Sequence, residues 1–124
     1  MTDLLFVYGT LRSGFDNPYA QLLRQRAELL GPATAQGSIY RVRHYPAFRP
    51  EAHPAASGVV HGELYRMFPD PAALLQALDD YEDVEFTRVP IAVEQGGGAH
   101  SAWIYRYDAA LPPDSLIASG DFCA

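Results

Sequence analysis

"FTRVPIAVEQGGGAHSAWIYRY", residues 86–107, decides how the chain is read. Two segments rich in β-branched and aromatic residues, 86–94 and 99–107, flank a Gln-Gly-Gly-Gly run, which reads as an antiparallel hairpin. Pro90 cannot donate to a ladder, so its strand is expected at an edge or locally bulged. Upstream, "GVVHGELYRM" (58–67) reads as a strand with Val60, Gly62 and Leu64 on one face and Val59, His61, Glu63 and Tyr65 on the other. "GSIYRVR" (37–43) reads as another. "LLFVY" (4–8) is a continuous apolar run of strand length, as expected of a strand buried on both faces.

Two segments carry helix signals. Asn17 followed by Pro18 is an N-cap with proline in the first turn, and the helix is expected to run through "YAQLLRQRAELL" until Gly31-Pro32 ends it. A second helix is expected from Asp70-Pro71 through "PAALLQALDDYE" (71–82). "HYPAFRPEAHPAAS" (44–57) reads as a long proline-rich loop of the kind that often carries function. About five strands and two main helices in this order predict an α+β domain with one curled, mostly antiparallel sheet. A length of 124 residues predicts a single domain, 1–124.

Composition narrows the function classes. The net charge of −6 opposes a phosphate backbone, so no nucleic-acid partner is expected. All nine basic residues are arginine. Without lysine there is neither Schiff-base chemistry nor a lysine-dependent phosphate loop. One cysteine, Cys123, excludes an intrachain disulfide and a thiolate metal cage. The N-terminal apolar run lacks a basic leader and is too short to span a bilayer, so a cytoplasmic protein with no membrane partner is expected.

The acidic run "LDDYEDVEF" (78–86) holds five carboxylates: Asp79, Asp80, Glu82, Asp83 and Glu85. On a helix starting at Pro71, Leu74, Leu75 and Leu78 form one stripe, and Glu82 falls near its middle. Asp79 lies at the stripe's edge and Asp80 points away. If the helix persists past Asp80, Glu82 enters the interior; if it frays there, Glu82 ends in water or pairs with Arg88. An interior Glu82 would have a raised pKa, from burial and from repulsion by Asp79, Asp83 and Glu85. That makes it a candidate general acid/base near neutral pH.

"FVYGTLRSG", "YPAF", "VVHGELYRM", "LDDYEDVEFTR" and "AWIYRY", in that order and followed by the tail "IASGDF", resemble the γ-glutamylcyclotransferase-like superfamily, which includes AIG2-like and γ-glutamylamine cyclotransferase proteins. The resemblance spans almost the whole chain. It implies a barrel-like mixed α+β fold with a pocket at the first strand–loop, and it implies that Glu82 is catalytic. It also makes Tyr8, Gly9, Thr10 and Leu11 the substrate-binding turn; Thr10 stands where many members carry serine. The implied reaction closes a γ-glutamyl amine or peptide to 5-oxoproline and releases the amine, with no cofactor. Such a reaction needs donors for an oxyanion, and the N–H groups of Thr10 and Leu11 beyond Gly9 would serve. Arg12 and Arg88 are candidate carboxylate clamps or ordinary surface residues. Tyr105 either lines the pocket, where its hydroxyl could donate, or fills the core. The competing reading keeps fold and pocket as a non-catalytic small-molecule-binding or regulatory module.

Other signals carry less. "GTLRSGF" has phosphate-loop spacing, but Phe15 stands where lysine is required. His44, His53, His61 and His100 are not spaced as metal ligands, so no metal is expected. No serine sits in a nucleophile elbow, and Cys123 reads as a bystander. Glu63 shares a strand face with His61 and Tyr65, which leaves its exposure open. Eight tyrosines and six phenylalanines suffice for a core and leave room for a homodimer interface.

Overall fold

A computed structural model describes residues 2–82 and 84–123. In chain order these form β1 (Leu4–Val7), α1 (Pro18–Arg26), β2 (Ala27–Gln36), β3 (Ser38–Val42), β4 (Tyr45–Arg49), β5 (Val59–Met67), α2 (Ala72–Tyr81), β6 (Phe86–Gln95) and β7 (Gly98–Tyr107). Five strands close into a barrel in the order β1-β5-β2-β6-β7, and β3-β4 is a separate two-stranded sheet. Neighbours are antiparallel except β1 and β7, which run parallel and close the barrel at Leu5 and Trp103. The α+β class and the mostly antiparallel barrel-like sheet are therefore as the sequence reads.

The 86–107 hairpin forms in register from Phe86↔Tyr107 to Gln95↔Gly98. Its turn is Gly96-Gly97, with φ of 62° and 82°. Two consecutive left-handed residues make the tight hairpin turn that glycine tolerates best. Beyond β7, β6 pairs with β2 only at Thr34↔Glu94 and Ala35↔Val93. Pro90, opposite Trp103, thus sits on a stretch of β6 with a ladder partner on one side only.

β1 is buried on both faces. Leu4, Phe6 and Tyr8 point into the barrel against Val60, Leu64, Val93 and Ile104, with Ile39 and Phe48 of the small sheet in the same cluster. Leu5 and Val7 point outward beneath the helices, in a second cluster with Leu23, Tyr65, Leu74, Leu75 and Leu78. β5 alternates accordingly, and its outer face is wet at Val59 and His61 but covered at Tyr65 and Met67.

Two expectations are corrected. The first helix ends at Arg26 rather than at Gly31-Pro32. Residues 27–36 pair instead with β5 from Ala27↔Met67 to Gln36↔Val59, with a register shift between Leu29 and Gly31. That ladder outweighs the helix propensity of "AELL", and Leu29 in it is 45% exposed. The proline-rich stretch 44–57 is not all loop, because Tyr45–Arg49 forms β4 against β3.

Leu78 is fully buried in the cluster that docks α2 on the barrel. Leu78→Ala should lower stability by about 2–5 kcal/mol, read as a fall in the denaturant midpoint.

Candidate active site

Helix α2 persists past Asp80. Its last residue is Tyr81, and Glu82 is the C-cap, extended (φ −70°, ψ 144°) with its N–H donating to the Leu78 carbonyl. The three buried leucines of α2 are Leu74, Leu75 and Leu78, and the side chain one turn on lies at the barrel rim. There Glu82 borders a small cavity of about 40 Å³, open to solvent, whose wall also includes Tyr8, Gly9, Thr10, Leu11, Tyr45 and Tyr105. Burial, then the charge of Asp79, pushes the Glu82 carboxyl from its usual 4.5 up to about 7. Asp83, expected to add to that repulsion, lies outside the described residues. Glu85 instead accepts from the Tyr107 hydroxyl at 2.5 Å.

Asp79 is held by three hydrogen bonds from two side chains. Arg88 donates to both its oxygens, from Nε at 2.9 Å and from a terminal nitrogen at 3.2 Å, and the Tyr105 hydroxyl donates at 2.7 Å. Burial alone would raise the Asp79 pKa, but the hydrogen bonds from Arg88 and Tyr105 and the guanidinium charge outweigh it and leave the carboxyl below its ordinary value. Two acids three residues apart thus differ in kind: Asp79 is a fixed anion, and Glu82 titrates near neutrality. Tyr105 is buried, and burial followed by its bond to Asp79 raises its pKa. The guanidinium of Arg88 also lies 4.4 Å over the Trp103 ring.

The turn after β1 supplies the opposite wall. A β-carbon on Gly9 would lie 2.6 Å from Cγ of Pro46, so the close approach of β4 requires glycine there. Each following residue is tethered to a different element. The Thr10 hydroxyl meets the Tyr81 hydroxyl at 3.0 Å, and the Thr10 carbonyl accepts from Asn17 Nδ2 at 2.7 Å while Asn17 Oδ1 caps α1. Leu11 is buried in the cluster beneath the helices. Arg12 pairs with Asp121 at 2.8 Å. Ser13 donates to Glu63 from both N–H and hydroxyl, at 2.6 and 2.7 Å. The Tyr8 hydroxyl donates to the Tyr105 carbonyl at 2.7 Å, and burial, then Glu82, raises its pKa.

A sequence profile described as gamma-glutamyl cyclotransferase, AIG2-like, matches residues 5–124. A Vibrio cholerae protein named provisionally as a gamma-glutamylcyclotransferase is 37% identical, covering 99% of this chain and 97% of its own. The chain belongs to the gamma-glutamyl cyclotransferase, AIG2-like family. A Niallia circulans protein named gamma-L-glutamyl-butirosin B gamma-glutamyl cyclotransferase is 31% identical over 84% of this chain and 66% of its own. The crystal structure of an AIG2-like protein from Mus musculus superposes with a TM-score of 0.70, covering 96% of this chain and 86% of that one. At 22% identity the mouse protein shows a shared fold.

Within this member of the family, Tyr8, Gly9, Thr10, Leu11, Glu82 and Tyr105 converge on one cavity. Arg88 and Arg12 are not in its wall: their guanidiniums are engaged by Asp79 and Asp121. Sequence reasoning named Asp79 as a charge that raises the Glu82 pKa; it missed the hold of Arg88 and Tyr105 on Asp79, Tyr45 and Phe86 as wall residues, and Glu63 as a tether of the turn. Nothing in the sequence pairs Glu63 with a serine 50 positions away. Among the described residues, no three His, Cys, Asp or Glu side chains gather as a metal site, and no helix is long and apolar enough to cross a membrane.

The raised Glu82 pKa has a stability consequence. In the unfolded chain Glu82 ionises near 4.5, in the folded protein near 7. Its contribution is therefore fully favourable below about 4.5 and is lost as pH rises through 7. Glu82→Gln should be more stable than wild type at pH 8, by up to about 3 kcal/mol, with the difference closing below pH 4.5 in denaturant melts across pH. Asp79→Asn removes the neighbouring charge and should lower the Glu82 pKa from about 7, read by NMR titration of the carboxyl carbon.

Proposed function

We propose that the protein is a γ-glutamyl cyclotransferase that closes a γ-glutamyl amine or peptide to 5-oxoproline and frees the amine, with Glu82 as the proton shuttle. The observation that carries this reading is a carboxyl titrating near 7 in the wall of the cavity that also borders the Gly9–Leu11 turn. Family membership and the activity in the name of the Niallia circulans relative support it.

The γ-glutamyl group would lie folded in the cavity, its α-nitrogen beside Glu82 and its γ-carbonyl toward the turn. Holding amine and carbonyl together makes ring closure unimolecular, and orientation supplies much of the acceleration. The α-nitrogen sheds two protons over the reaction. Ionised Glu82 takes the first, freeing the lone pair that attacks the carbonyl carbon. The carbonyl electrons pass to oxygen, and the N–H groups of Thr10 and Leu11 are the donors proposed to meet that oxyanion. Protonated Glu82 then gives its proton to the departing nitrogen as the old C–N bond breaks and the carbonyl reforms. Glu82 takes the second proton from the ring nitrogen and passes it to the freed amine.

A pKa near 7 suits a group that must both accept and donate near neutral pH. The fixed charge of Asp79 helps to hold it there. Arg88 and Tyr105 act on the reaction through Asp79 in this scheme; Tyr105 additionally walls the cavity.

The reading is tested by assaying 5-oxoproline release from γ-glutamyl amino acids, γ-glutamyl amines and glutathione. Wild type should release it and Glu82→Gln should lose about 10²–10⁴-fold in rate. kcat/KM should fall as pH drops below about 7, where Glu82 protonates. Absence of release from every substrate overturns the cyclotransferase reading.

A further inference from the structure

A second cavity, of about 180 Å³, opens beside Glu82. It shares Thr10, Tyr45, Glu82 and Phe86 with the first and adds His44 and Tyr81. On the cyclotransferase reading, the first cavity takes the glutamyl group. Whatever is joined to its γ-carbonyl must leave from beside Glu82, and the adjoining cavity is where it can go.

Four of the six residues that line that cavity carry rings: His44, Tyr45, Tyr81 and Phe86. Tyr45 stands edge-on to His44, with centroids 5.5 Å apart and planes at 86°, and tilts against Phe86 at 5.7 Å and 58°. Tyr81 is backed by Tyr19, stacked at 4.3 Å, which braces its ring. Such tilted clusters are extended most favourably by a further ring, edge to face. The charges point the same way. Among the described residues no arginine lines the cavity, Glu82 is in its wall, and the chain carries a net −6. A leaving group with its own carboxylate would enter an unfavourable field.

We propose that the preferred substrate is a γ-glutamyl amide whose departing amine carries an aromatic body and no carboxylate, seated among Tyr45, Tyr81 and Phe86. The inference rests on the cyclotransferase reading for what enters the first cavity, and it assigns the leaving-amine side to residues 44 and 45 of the proline-rich stretch together with the end of α2 and the start of β6.

Four amides of glutamate test it: the γ-benzylamide, the γ-methylamide, the γ-(4-aminobutyl)amide, which keeps a second ammonium, and glutathione. Wild-type kcat/KM for the benzylamide should exceed that for the methylamide by about three- to tenfold, with glutathione lowest. Phe86→Leu should narrow the benzyl-to-methyl ratio toward one. Equal rates for benzyl and methyl, or preference for the aminobutylamide or glutathione, overturn the proposal. Calorimetric binding of the same amides to Glu82→Gln separates the two readings. Tighter benzylamide binding without turnover of any amide by wild type upholds the ring-lined cavity and overturns cyclisation. Turnover with no difference between benzyl and methyl binding does the reverse.

Discussion

The docking of α2 on the outer face of β1 is the constraint on which the candidate site depends. Leu74, Leu75 and Leu78 pack with Leu5 and Val7, which alternate with barrel-facing Leu4 and Phe6. A strand buried on both faces can be both barrel wall and helix platform. Because the stripe on α2 is continuous, docking three leucines carries the residue one turn further to the rim. The cost of a half-buried carboxylate at Glu82 is therefore offset by apolar burial elsewhere on the same helix. Without that anchorage the segment could swing out, and Glu82 would ionise in water as any surface glutamate does.

The second constraint is electrostatic. Asp79 and Glu82 are both partly buried, yet their environments drive them apart. Asp79 has a forked guanidinium and a phenol, which favour its charged form. Glu82 has burial and the charge of Asp79, which both disfavour it. Paired acids separated in this way are a recurrent basis for acid and base chemistry near neutral pH. Arg88 does this from β6 and Tyr105 from β7, paired opposite each other in the hairpin. The hairpin turn at Gly96-Gly97, at the far end of both strands, thus sets the register of a charge cluster beside the cavity.

The turn after β1 is held by long-range contacts rather than by its own hydrogen bonds alone. Its residues reach α1, α2, β4, β5 and the C-terminal segment. That segment is laid along the small sheet and β5, with Ile117 N–H donating to the Ile39 carbonyl and His61 N–H to that of Gly120. Phe122 stacks with Phe15 at 6.2 Å and lies beneath Arg41. Tethers from many elements favour a preorganised wall, since no single loop motion frees it.

Local chemistry made much of this legible. Asn17-Pro18 starts α1, the glycine run makes the hairpin, the apolar run at 4–8 is buried on both sides, and the leucine stripe aims Glu82. These are short-range consequences of propensity and periodicity, present in any chain with those residues. The end of α1 was not legible, because residues 27–36 choose strand only when β5 is there to pair with them. Nor was β4, whose partner is β3 across a turn at Arg43. The engagement of Arg88 by Asp79, of Arg12 by Asp121 and of Glu63 by Ser13, and the ring-lined cavity beside Glu82, join residues from 9 to 109 positions apart. The sequence by itself singled out Glu82 as the carboxylate aimed inward wherever the helix outlasts Asp80, and the glycine run as a hairpin turn. Only the tertiary structure decided what each charge faces, because the energy of a buried charge is set by the neighbours that folding brings to it.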